Sequence, residues 1–93
     1  MMVLHFHVKS EYFKRIQAGI KLFEFRLLEK WSKRIEGKTF THIIIYDAYK
    51  KASNDTVMKF EWNGAQKKRI KLKFFGKYSV SVYAFNLEKR VVS

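Results

Sequence analysis

From Val3 to Val8 apolar and polar residues alternate, with Leu4, Phe6 and Val8 on one side and His5 and His7 on the other. A period of two belongs to a strand with one buried face. The spacing then lengthens. Phe13 and Ile16, with Tyr12 beside them, form an apolar stripe, while Lys14 and Arg15 turn toward solvent. This predicts a short helix in which Ser10 is the capping residue, Glu11 suits the positive end and Gly19 marks the stop. Lys21 to Leu28 returns to strand character through its aromatic and branched content.

A second short helix is predicted over Glu29 to Glu36, with Trp31 and Ile35 on one face and Gly37 closing it. Thr41 to Tyr46 holds Ile43-Ile44-Ile45, apolar on both faces, which predicts a central strand. Asp47 to Asp55 is a polar connection. Val57 to Trp62 alternates again, Met58, Phe60 and Trp62 against Lys59 and Glu61. Asn63-Gly64 is a turn signal, and both a tight hairpin and a longer loop through Lys68 fit it. Arg69 to Phe75 sets Ile70, Leu72 and Phe74 inward against Arg69, Lys71 and Lys73, and Ser79 to Leu87 reads as a closing strand. Five or six strands with two short helices predict an α+β domain over residues 1–93. A small curled sheet or β-barrel is the expected form, because closure removes exposed edges.

Composition sharpens this. Twenty Lys and Arg against eight Asp and Glu give a formal net charge of +12, a surplus that favours a polyanionic partner, above all nucleic acid. There is no cysteine, hence no disulfide, no thiolate nucleophile and no sulfur-ligated metal. His5, His7 and His42 lack zinc-site spacing, so no metal and no cofactor are expected. The apolar opening Met1-Met2-Val3-Leu4 is broken at once by His5 and His7, and no stretch approaches a membrane span. A cytoplasmic protein with no membrane role is the expectation.

Candidate chemistry centres on Gly19-Ile20-Lys21-Leu22-Phe23-Glu24-Phe25-Arg26. Residues two apart in a strand share a face, so Glu24 and Arg26 present opposite charges to one space, with Phe23 and Phe25 turned the other way as core. Arg26 carries the planar fork that suits a phosphate or a base edge, and Lys21 a mobile cation. Glu24 can accept from a base amino group. It can also serve as a general base, with Lys21 or Arg26 meeting an oxyanion. The plainer alternative is an ion pair that only balances charge. His5 and His7, on one strand face, are secondary candidates as an acid–base pair in phosphodiester cleavage. Lys67, Lys68, Arg69, Lys71 and Lys73 make one cationic run, and Lys30, Lys33, Arg34 and Lys38 a second. Together they are expected to flank a groove with Tyr49, Trp31 or Trp62 available for base stacking.

The helix Tyr12-Phe13 through Ile16, the turn Ala18-Gly19-Ile20-Lys21, then Glu24 and Arg26 resemble the signature of the ASCH family. The family's pattern is an aromatic-bearing helix, a G-x-K turn and E-x-R on the next strand. Small phage and bacterial members are similar further on, at Trp31-Ser32-Lys33-Arg34, Gly37, Ile43-Ile44-Ile45, Glu61-Trp62-Asn63-Gly64 and Phe75-Gly76. The resemblance implies a PUA-like barrel and an RNA-related cleft between helices and barrel. One bacterial branch removes the acetyl group from N4-acetylcytidine, and ribonuclease activity belongs to another. The amidohydrolase lysine corresponds to Lys21, but Glu24 stands where that branch has threonine. Its distant glutamate has no counterpart, since no acidic residue lies between Trp62 and Leu87.

The expected function is a nucleic-acid-binding module, for RNA or single strands, whose cleft holds a base or phosphate. The alternatives are a hydrolase acting on RNA or a nucleoside through Lys21, Glu24 and Arg26, and a phage-type protein that binds an acidic host protein.

Overall fold

The protein is described by a computed structural model over residues 2–51, 53, 55–71 and 79–91. The elements run β1 (Met2–Val8), α1 (Ser10–Gln17), β2 (Phe23–Leu27), α2 (Leu28–Ile35), β3 (Phe40–Asp47), β4 (Val57–Glu61), β5 (Ala65–Lys71) and β6 (Ser79–Asn86). They form two three-stranded sheets, β1-β3-β4 and β2-β6-β5. β1 and β3 run parallel, Leu4 opposite Ile43 and Phe6 opposite Ile45, and the other three pairings are antiparallel.

This overturns the expected barrel or curled sheet. The six strands are divided between two open sheets, and neither closes on itself. Alternation shows that a strand has one buried face, and that holds equally for a barrel wall and for two sheets sharing a core. The edge of the first sheet is handled differently. Residues after β6 lie along β4, where the Glu61 amide donates to the Lys89 carbonyl and the Val91 amide to that of Lys59 (2.8 Å each). Phe60 and Arg90 form an antiparallel bridge there.

The core lies between the sheets. Leu4, Phe6 and Val8 of β1, Ile43 and Ile45 of β3, and Met58 and Phe60 of β4 meet Tyr83 and Phe85 of β6. Phe6 is the junction, its ring 4.8 Å from Phe85 and 4.9 Å from Trp31 between centroids. Each such side chain removed from water contributes roughly 1.5–3 kcal/mol. α1 adds Phe13 and Ile16, and α2 lays Trp31 and Ile35 against the same cluster. β3 is the middle strand of its sheet, as its isoleucines predict.

Several local expectations need correction. Lys9, not Ser10, is the N-cap of α1, and it makes no side-chain cap bond. Ser10 instead donates its hydroxyl to Asp47 Oδ1 at the end of β3, 2.7 Å away. Lys21 precedes β2 rather than opening it. The stretch from Ala65 to Lys68, where a tight hairpin and a longer loop both fitted the sequence, is strand paired to β6, with Lys67 opposite Tyr83. β4 and β5 belong to different sheets, so Asn63-Gly64 turns no hairpin and the chain crosses between layers there. Gly64 has φ +91°, a value that side-chain-bearing residues rarely adopt. Leu72, Lys73, Phe74, Phe75 and Gly76 fall outside the described residues.

A carboxylate and two cations in a cleft beside the first strand

The side of β2 that carries Glu24 and Arg26 faces the core, because Glu24 is paired with Phe85 and Arg26 with Tyr83. Glu24 is consequently buried, at 6% exposure. Phe25, expected in the core, is exposed instead, and Phe23 is half-buried beside it. Burying a carboxylate is unfavourable unless it is paired and hydrogen-bonded. Both oxygens of Glu24 are engaged. Arg26 Nη2 donates to Oε2 at 2.8 Å, and Lys21 Nζ lies 3.5 Å from Oε1. The first is a short charge-assisted bond, and the second is a looser ion pair.

Arg26 is held from three sides. Nη2 also donates to the His7 carbonyl at 3.2 Å. Its guanidinium lies over the rings of Phe6 (4.9 Å) and Trp31 (5.5 Å). Lys21 Nζ stands near two rings, 5.6 Å from the centroid of Tyr12 and 5.4 Å from that of Phe25. Lys21, Glu24 and Arg26 line a cleft of about 440 Å³ between the end of β1, the start of α1 and β2. His7, Val8 and Lys9 form one wall, and Tyr12, Lys21, Glu24, Phe25 and Arg26 the other.

The turn that delivers Lys21 is built locally. α1 is capped at its C-terminal end by Ala18, and Gly19 takes φ +75°, reversing the chain. The Ile20 and Lys21 amides then both donate to the Arg15 carbonyl, at 3.0 and 3.2 Å. That fold-back sets Lys21 beside Tyr12, one helical turn before Arg15.

The remaining predicted residues do not join this cleft. Lys30, Lys33 and Arg34 project from α2, all exposed, with Arg34 over the Trp31 ring at 4.7 Å. Lys67 is committed to Glu36 at 2.8 Å, and Lys68 lies over Phe23 at 5.3 Å. Arg69 and Lys71 are exposed on the same edge strand. That strand is separated from β2 by β6, and its cations do not line this cleft. The clusters meet elsewhere, at the Lys67–Glu36 pair. Tyr49 is 70% exposed in the turn after β3 and is not a lining residue. Lys73 lies outside the described residues.

His5 and His7 share the outer face of β1 with Tyr46 of β3, which stacks on both. Its ring is 4.7 Å from His7 with planes 13° apart and 5.7 Å from His5 with planes 25° apart. The Tyr46 hydroxyl also lies 3.0 Å from His5 Nδ1. Tyr46 thus meets both imidazoles through their faces and, among the described residues, one ring nitrogen, His5 Nδ1. Among the described residues, no three His, Asp or Glu side chains gather as a metal site.

Reading the sequence alone misses Tyr12 and Phe25 as cleft walls and Tyr46 as the partner of the histidines. The aromatic-bearing helix is a signal for Tyr12. Tyr46 has none, since only the parallel register opposite His7 brings it there.

Comparison with protein-family models, with curated proteins and with solved structures finds no match. No helix among the described residues is long and apolar enough to cross a membrane.

Proposed function

We propose that this protein is a nucleic-acid-binding module for single-stranded RNA, and that the cleft beside β1 receives a base with its phosphate. One observation carries the reading. Two cations converge on a buried carboxylate between aromatic walls, in a chain of net charge +12. Glu24 supplies acceptors and Arg26 and Lys21 supply donors, the mixture that a base edge requires, while Tyr12 and Phe25 offer ring faces. Among the described residues only Nη2 of the Arg26 fork is engaged, and a guanidinium carries five N–H donors. The exposed cations of α2 and β5 supply attraction independent of sequence. A cytoplasmic location goes with this reading, as does the resemblance to ASCH proteins in the segment from Gly19 to Arg26.

A hydrolytic role has less support in the geometry. Both Glu24 oxygens already meet a cation, the arrangement of an ion pair that balances charge.

The test is affinity for a mixed-sequence single-stranded RNA as salt is raised. Neutralising about five phosphates gives a slope near −3.5 in log affinity against log salt, at roughly −0.7 per phosphate. Absent or salt-independent binding overturns the reading and leaves an acidic protein as the candidate user of the positive surface.

A further inference from the structure

Among the described residues no element covers the outer face of the first sheet, and its composition is unusual for a face turned to water. Register pairs Val3 with His42 and Glu61, His5 with Ile44 and Lys59, and His7 with Tyr46 and Val57. These nine positions share one side, because residues two apart on each strand do. Both helices pack on the other side, against the core. His5 and His7 are exposed, Tyr46 and Ile44 are half-exposed, and a row of three stacked rings runs across β1 and β3. The only carboxylate is Glu61, in the corner furthest from His7.

The face is continuous with the cleft through a single residue. His7 lines the cleft and gives its carbonyl to Arg26, and its ring stacks on Tyr46. We propose that this face is a second subsite, on which single-stranded RNA leaving the cleft lays its following bases against the His7–Tyr46–His5 rings. The inference rests on the RNA reading of the cleft. Sheet faces bearing aromatic rings hold unpaired bases by stacking, and imidazole edges add hydrogen bonds to bases or phosphates. The two formal charges of the face, Lys59 and Glu61, balance, so its rings and imidazole edges are its means of holding RNA, and the +12 of the chain supplies the long-range attraction.

The experiment compares a labelled dinucleotide with a labelled mixed-base hexanucleotide of RNA, by fluorescence anisotropy at one salt concentration. The wild-type chain should bind the hexanucleotide at least tenfold more tightly. In His5→Ala, at an exposed position, and in Tyr46→Ala, checked for folding by circular dichroism, most of that length-dependent gain should vanish. Dinucleotide affinity should hold in both, because neither residue lines the cleft. A length gain retained in His5→Ala and in folded Tyr46→Ala overturns the second subsite. The cleft reading then still stands if the dinucleotide binds and Arg26→Ala abolishes that binding. If neither oligonucleotide binds the wild-type chain, both readings fall.

Discussion

The Tyr83 hydroxyl donates to Glu36 Oε1 across 2.8 Å, joining the middle strand of the second sheet to the end of α2. Lys67 reaches the same oxygen from β5, also at 2.8 Å. Burial, and then the bond to Glu36, push the Tyr83 phenol up to about 12. A group whose folded pKa lies above its unfolded value, near 10 for tyrosine, favours folding fully only below that unfolded value. Stability should therefore fall between about pH 10 and pH 12. Urea midpoints across that interval check this, and Tyr83→Phe should flatten the decline. At neutral pH the same variant should lose about 1 kcal/mol, the usual net worth of one such bond.

At the opposite end of the pH scale the group to follow is Asp47. The Ser10 hydroxyl, followed by the Tyr49 amide, holds its carboxyl below the usual carboxylate range, against the opposing effect of burial. Its stabilising contribution is present above the unfolded pKa, near 3.9, and is lost as pH falls through the folded value. Ser10→Ala should weaken the protein at pH 7 and make its stability less sensitive to acid below about pH 4. Equal acid sensitivity in both chains would remove Asp47 from the explanation.

Arg26→Lys keeps a positive charge beside Glu24 but loses the planar guanidinium whose Nη2 bonds both Glu24 and the His7 carbonyl. Oligonucleotide preference should shrink more than total affinity. Affinities for a panel of short RNAs decide it. Parallel losses on preferred and non-preferred sequences would assign Arg26 to charge alone.

Arg69 and Lys71 are exposed on an edge strand away from the cleft. Replacing both with alanine should weaken binding to all sequences alike and flatten the salt slope by about 1.4, at roughly 0.7 per phosphate contact. Cationic side chains also guard edge strands against aggregation. An unchanged slope would leave that as their role.

Incubating the wild-type chain at high concentration with N4-acetylcytidine and with mixed RNA should leave both intact by mass spectrometry. Product that disappears in Glu24→Gln, where a general base is commonly worth about 10²-fold or more, would establish chemistry in the cleft instead. Product retained in Glu24→Gln would point to a different site.

Much of this protein is legible along the chain, and the limit falls where contacts stop being local. The alternation from Val3 to Val8, the stripe of Phe13 and Ile16, and the stops at Gly19 and Gly37 are short-range patterns, and the strands and helices follow them. That Glu24 and Arg26 share a face also follows from period alone. Period does not say which face is buried. That was decided by β6, whose Phe85 and Tyr83 draw Glu24 and Arg26 inward and leave Phe25 exposed. Nor does alternation say which strands pair. The parallel register of β1 on β3, which sets Tyr46 beside His5 and His7, joins residues 41 or 39 positions apart in the chain. Division into two sheets rather than a barrel is likewise a matter of long-range pairing. Only the packed core, by choosing among pairings that satisfy the same local pattern, determines which charges and rings meet at the cleft.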